Sequence, residues 1–428
     1  MIGRIVAAGV LAIGLLTAAW GPARASSTAD CDSVTTCYTP EQLQVAYGVK
    51  PLLDRGIDGR GETVVLPELA ESALNPPLVS DMRLDMAAFD MLFHLPTAQM
   101  RVVSTFPGVR TPWLAFGEEV LDVEMVHALA PGAKLVILLV KPTSLNNTAN
   151  AVHAAIASLR LGSELGGVMS ISAAGQIGGE HCVTRAQANQ VNAALRTAQA
   201  RRVTVVAASG DIGVVAEPCD VYAALTGNGT FTPVKEVNLL ASDPLVLGAG
   251  GTSLTASHTT GQWISETGWG LPYGDVGSAF QASGGGFSHL FSRPAYQTDA
   301  GTGRGVPDVS GDAGFNTGMA VAVSTGGSSY ALRPATGTSA AAPFWAALVA
   351  LADQKAGHDL GFVNAAIYRI ARGPLYHKAF HDVTTGNNTV VFISPSVTVT
   401  GYQAGPGWDP VTGWGTPNAQ VLVPLLAR

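Results

Sequence analysis

Ionised side chains are scarce in this chain. Only 13% of its 428 residues are charged, against roughly 25% in an ordinary globular domain. With 24 basic and 31 acidic residues the net charge is -7, so there is no broad positive field to hold nucleic acid or anionic lipid. Aromatics make up 7% and cysteines number four, too few for a disulfide-dense scaffold. Beyond the N-terminus no run approaches the ~20 apolar residues of a membrane-spanning helix. What is abundant is apolar and small: 47% of residues are hydrophobic and 50 are glycine. The glycines follow no period, which excludes collagen, and the high apolar content excludes a charge-rich disordered chain.

Arg4, an apolar run from Ile5 to Ala19 and Ala23-Arg24-Ala25 have the order of a secretory signal peptide cut before Ser26. Residues 1–25 are therefore expected to be a signal peptide, residues 26–428 one domain, and the protein secreted or extracytoplasmic. An uncleaved membrane anchor is the other reading, although the run is short for a span. Cleavage would remove Arg4 and Arg24 and leave a charge of -9. In an exported chain four cysteines read as two disulfides, which can pair in three ways. The sequence-local choice is Cys31 with Cys37 and Cys182 with Cys219. Their spacings do not match paired zinc-ligand units.

Short Val- and Ile-rich runs at 62–66, 134–140, 167–172 and 203–208 alternate with helical patterns at 80–94, 149–161 and 185–200. Continuously apolar strands between amphipathic helices predict a doubly wound α/β domain, its mainly parallel sheet covered on both faces. Ser283 to Gly318, rich in Gly, Ser and Pro, reads as loops over a site. Residues 339–356 read as a further helix, and the chain ends in a short apolar helix or strand.

Gly337-Thr338-Ser339-Ala340 precedes that helix. A serine among small residues at a helix N-terminus exposes its Oγ near free amides, the setting of a nucleophile; a plain N-cap before a packing helix fits the same residues. None of the nine histidines lies in a His-Gly-Thr setting, and His127 reads as a core residue of a helix face. Glu118 and Asp122 stand four apart, so on a helix their carboxyls share one face and can share a proton. The plainer reading is an acidic first turn favoured by the helix dipole. Asp211, in Ser209-Gly210-Asp211, lies just past a strand end, where α/β enzymes place functional groups, though Asp-x-Gly is also an ordinary turn.

Several segments in order resemble the sedolisin family, the serine carboxyl peptidases. They are Thr39-Pro40-Glu41-Gln42-Leu43, Leu121-Asp122-Val123-Glu124, Ala130-Pro131-Gly132, Ala208-Ser209-Gly210-Asp211, Gly250-Gly251-Thr252, Ser283-Gly284-Gly285-Gly286-Phe287-Ser288, Arg304-Gly305-Val306-Pro307-Asp308 and Gly337-Thr338-Ser339. The resemblance implies a subtilisin-like fold and a secreted endopeptidase working in acid. It makes Ser339 the nucleophile, Glu118 the general base, Asp122 the carboxyl that hydrogen-bonds Glu118, and Asp211 the oxyanion donor. Glu119 rivals Glu118 but lacks the spacing of four, and Glu68 extends the network. Ser283, Gly284, Gly285 and Gly286 would offer backbone to an extended substrate. One Ca²⁺ is implied at Asp382, Val383, Gly405, Gly407 and Asp409, where carboxylate and carbonyl oxygens suit that ion.

Two departures from the family stand out. Ser26 to Cys37 is too short for the usual long prosegment, which leaves activation and folding control open and makes a separate inhibitor or prosegment chain one candidate partner. At Ser172-Ala173-Ala174-Gly175 the usual aromatic before Gly is missing, which weakens a substrate-side wall. The partner expected is a peptide or protein substrate, with the enzyme acting as a monomer. A tripeptidyl exopeptidase and a non-catalytic secreted binding protein are the alternatives.

Overall fold

The computed structural model describes residues 5–6, 37–70, 80–109, 113–115, 117–141, 148–172, 177–220, 230–270, 281–298, 301–326, 329–393 and 396–428. All but Ile5 and Val6 of the expected signal peptide lie outside these residues, as do Cys31 and Ala173 to Gly175.

The apolar runs become the sheet. Its strands are β1 (Thr63–Leu69), β2 (Gln99–Ser104), β3 (Lys134–Val140), β4 (Val168–Ile171), β5 (Thr204–Ala208), β6 (Leu247–Ala256), β7 (Trp263–Gly268) and, further along the chain, Val309–Asp312. The order across it is β7-β6-β5-β4-β1-β3-β2, with Val309–Asp312 also on β6. Every pairing is parallel except β6 with β7. Alternation along β1 and β3 explains the unbroken hydrophobicity: Val64, Leu66, Leu135 and Ile137 join the core on one face, Val65, Val136 and Leu138 the core on the other. A strand buried on both faces has no polar side to show.

On the first face lie α1 (Met82–Phe93), α2 (Glu118–Leu129) and, later in the chain, the helix Thr338–Ala356. The helices α3 (Thr148–Gly162) and α4 (Arg185–Ala200) cover the second. Helix α2 packs against Thr338–Ala356, and from Glu119 to Leu129 every residue of α2 is buried. No amphipathic stripe remains on α2 because it has no solvent face. The helix Thr338–Ala356, α5, starts at Gly337, whose φ of 79° suits glycine. The chain ends in the helix Ala419–Leu426.

The expectation of loops from Ser283 to Gly318 is corrected. Gly286–Ser292 and Gly303–Val306 form a hairpin, and Val309–Asp312 enters the main sheet, with Gly250 opposite Ser310 and Gly251 opposite Gly311. Gly251 is a close-approach position: a Cβ there would lie 2.7 Å from Ala313 and 3.0 Å from Trp269. Small residues mark tight packing in this segment rather than exposure.

The hairpin is anchored by Arg304, fully buried with Asp308. The guanidinium lies 2.5 Å from Asp308 Oδ2 and also donates to the Val246 carbonyl at 3.2 Å. Asp308 accepts from the Gly248 amide at 2.8 Å and the Tyr368 hydroxyl at 2.8 Å. Removing one partner of such a pair strands a buried charge and costs about 3–5 kcal/mol. Arg304→Ala is expected to lose stability of that order in urea unfolding; a loss under about 1 kcal/mol would contradict this anchoring.

Candidate active site

The carboxyl ends of the parallel strands carry the polar groups, as expected of an open α/β sheet. Glu68 stands near the end of β1, Ser172 directly follows β4, and Asp211 lies three residues beyond β5. Helix α2 brings Glu118 and Asp122 against them, and Ser339 is the second residue of α5.

These groups interact. The side chain of Ser339 hydrogen-bonds Glu118. Asp122 is completely buried and hydrogen-bonds Glu68, while the Ser172 hydroxyl reaches Asp122 Oδ1 at 2.8 Å and the Ser339 carbonyl at 3.1 Å. The expected partnership of Glu118 and Asp122 is therefore electrostatic, and the hydrogen-bonding partners of Asp122 are Glu68 and Ser172. Burial, then the charge of Asp122, pushes Glu118 well above the usual carboxyl range. Burial likewise raises Glu68 strongly and takes Asp122 to about 7. As carboxylates, Glu68 Oε1, Glu118 Oε1 and Asp122 Oδ2 have no donor to accept from. Protons held within the cluster supply what the protein lacks.

Asp211 accepts twice at one oxygen. The Thr338 amide and hydroxyl reach its Oδ1 at 2.8 and 2.7 Å, and burial raises its pKa above 3.8. With Oδ1 serving as acceptor, Oδ2 is the oxygen on which a proton would sit when Asp211 is neutral. A Cβ on Gly337 would lie 2.6 Å from that Oδ2, so the glycine clears space around it. The amide of Asp211 donates to Glu217 Oε1 at 3.1 Å, and burial, then the Asp211 charge, pushes Glu217 to about 8. Ser172, Thr338 and Glu217 were not singled out for these contacts by the sequence reading. Only Thr338, inside Gly-Thr-Ser, carried a usable signal. His127 is a core residue, its Nε2 2.8 Å from the Pro96 carbonyl.

The run Ser283 to Gly286 is buried and its amides are engaged within the chain. Ser283 donates to Trp269, Gly284 to Gly210 and Gly285 to Gly213, and Gly286 pairs with Val306. A Cβ on Gly284 would lie 2.2 Å from the Ser209 carbonyl. This run backs the loop carrying Asp211, where the sequence reading gave it free backbone for a substrate.

Asp382 and Asp409 meet around one loop. Gly407 donates to both oxygens of Asp382, at 3.1 and 3.2 Å, and Gly405 to Asp409 Oδ2 at 3.1 Å. The Val383 carbonyl accepts from Thr412, which also donates to Asp409. Two carboxylates and a carbonyl about one glycine-bearing loop form an all-oxygen set that fits Ca²⁺. Cys182 and Cys219 are joined; Cys37 is disulfide-bonded too, its partner outside the described residues. Among the described residues no helix is long and apolar enough to cross a membrane.

The raised carboxyls fix a pH dependence. Asp122 and Asp312 stand at about 7 and Asp243 at about 6, against 3.8 ordinarily. Since they bind protons more tightly folded than unfolded, their contribution is complete below about pH 4 and is lost as pH rises from there to about 7. His381, lowered by burial to about 4, acts the opposite way between about pH 4 and 6.5. The melting temperature is expected to be higher at about pH 5 than at about pH 8; the reverse order would contradict the cluster's protonation.

No protein-family model matches the chain. It is 32% identical over 423 residues to kumamolisin of Bacillus sp. (strain MN-32), covering 92% of this chain and 65% of that protein. Over 260 residues it is 31% identical to tripeptidyl-peptidase 1 of Bos taurus, covering 55% of this chain and 39% of that one. The chain thus spans just under two thirds of the first relative's length and well under half of the second's. A solved structure described as Pseudomonas sedolisin (serine-carboxyl proteinase) complexed with two molecules of pseudo-iodotyrostatin superposes with a TM-score of 0.70 at 24% identity, covering 91% of this chain and 98% of that one.

Proposed function

The chain belongs to the sedolisin family, with its subtilisin-like α/β fold, and we propose that it is a secreted serine carboxyl peptidase that hydrolyses peptide bonds in acid. The observation that carries this reading is the hydrogen bond between Ser339 and a partly buried glutamate, Glu118, whose Oε1 is shut off from solvent, with Asp211 close enough for its charge to act on that glutamate. In this reading Ser339 Oγ attacks the substrate carbonyl and passes its proton to Glu118, which returns it to the departing amine. Water then hydrolyses the acyl-enzyme. Glu68 and Ser172 hold Asp122, which sets the protonation of Glu118. Asp211 Oδ2 donates its proton to the oxyanion of the tetrahedral intermediate.

Each role has a test in peptide cleavage across a range of pH. Ser339→Ala is expected to abolish cleavage at about pH 4, and Glu118→Gln to lower it by at least ~10²-fold. A Ser339→Ala protein as active as wild type would favour a non-catalytic binding protein. Asp211→Asn keeps a donor at every pH. It is expected to lower the rate by no more than the ~10²–10³ of a lost oxyanion donor and to flatten the fall in activity towards neutral pH. An unchanged pH profile would remove Asp211 from that role.

Cleavage within a chain is the first reading of specificity. The similarity to tripeptidyl-peptidase 1 supports a second, release of tripeptides from free N-termini. Cleavage of an N-acetylated peptide would exclude the second reading.

One Ca²⁺ would be held by Asp382, Asp409 and the Val383 carbonyl, with Gly405 and Gly407 shaping the loop; its contribution is structural. Saturating Ca²⁺ is expected to stabilise the wild type by about 3 kcal/mol at a hundredfold excess over Kd. Asp382→Asn should lose this loop's share of the stabilisation, and an unchanged response would contradict the site.

A further inference from the structure

At the far end of α5 from Ser339 stands a second set of carboxyls that peptide cleavage does not use. Asp353 lies in the last turns of the helix, 14 residues and so about 21 Å along its axis from Ser339. It is fully buried. Its Oδ1 accepts from the Leu360 amide at 2.9 Å, while its Oδ2 has no hydrogen-bond partner. Glu62, directly before β1, and Asp359, in the loop after α5, each bring a carboxyl oxygen so that all three lie within 4.8 Å of one another.

The charged neighbours acting on Asp353 are Asp359 and Glu62, and the one acting on Glu62 is Asp359. Both raise rather than relieve the negative potential. The C-terminal end of a 19-residue helix adds its own negative pole there. Lys355, the basic residue of the last turn, makes no ion pair with the three among the described residues.

A capping role alone does not explain Asp353. Accepting from the Leu360 amide needs one oxygen, and an asparagine would supply it without burying a second, unpaired one. An orphaned carboxyl oxygen between two further carboxyls is satisfied either by a proton or by a cation, and for a cation the three acids supply the ligands. Three protein carboxylates on one ion suit Ca²⁺, which takes about 6–8 oxygen ligands, better than Mg²⁺, which keeps its waters and is held by one or two carboxylates. We propose that Glu62, Asp353 and Asp359 form a second divalent-cation site, selective for Ca²⁺, tying the start of β1 to the end of α5. The site stands independently of the peptidase reading and of the loop at Asp382 and Asp409.

Equilibrium dialysis of the full chain against radioactive Ca²⁺ near neutral pH counts the ions directly. Wild type is expected to bind one more ion than Asp353→Asn, and Asp382→Asn is expected to keep the ion that Asp353→Asn loses. Should Asp353→Asn not fold, judged by circular dichroism, the double variant Glu62→Gln with Asp359→Asn takes its place; both residues are partly exposed. Mg²⁺ at equal concentration should leave the count unchanged. An equal Ca²⁺ count in wild type and in the folded variants overturns the proposal, and displacement of this ion by equimolar Mg²⁺ overturns its selectivity. If the Asp382 loop held no ion, wild type would bind one and Asp353→Asn none, so the two sites fail separately.

Discussion

The structure depends on carboxyl groups set in the interior with, among the described residues, no cation beside them. Glu68, Glu118 and Asp122 converge where the end of β1 meets α2, and the groups acting on them are each other, Glu119, Asp211, Ser172 and Ser339. Taking an ionised carboxylate out of water costs several kcal/mol. Such a group stays buried by keeping its proton or by sharing one. Helix α2 must therefore be buried on every side, because any solvent face would lower the pKa of its acids. The cores on both faces of the sheet and the packing of α2 on α5 follow from that requirement.

The same economy runs through the rest of the chain. Lightly charged composition leaves few lysines and arginines to form pairs, and the one fully buried arginine or lysine among the described residues, Arg304, pairs with Asp308. Glu217, Asp243, Asp312 and Asp409 are all raised chiefly by burial. A protein built this way is at its most stable where carboxyls are neutral. That is also where a peptidase relying on a protonated Asp211 would work, so stability and the proposed chemistry share one cause.

Much of the fold was legible. The runs at 134–140 and 185–200 match β3 and α4 residue for residue, because a doubly buried strand and a capped helix write their character into every position. Ser283 to Gly318 was not legible: where backbones approach as closely as Gly251 does to Ala313 and Trp269, side chains vanish and the composition mimics a loop. The candidate acids and serine were legible from spacing and order. Their hydrogen-bond partners were not, since Ser172 reaches Asp122 from a strand end 50 residues away and Glu217 folds back onto Asp211 through a turn that no motif marks. Asp122 was expected to hold Glu118 directly, yet its hydrogen bonds go to Glu68 and Ser172.

The proposed chemistry rests on Asp211 holding its proton above the pH at which an exposed aspartate loses it. A ¹³C-carboxyl NMR titration of the folded chain, with Asp211 assigned by comparison with Asp211→Asn, measures this directly. The account predicts a midpoint above the ordinary 3.8, coinciding with the fall in peptide cleavage as pH rises. A midpoint at or below 3.8 would contradict it.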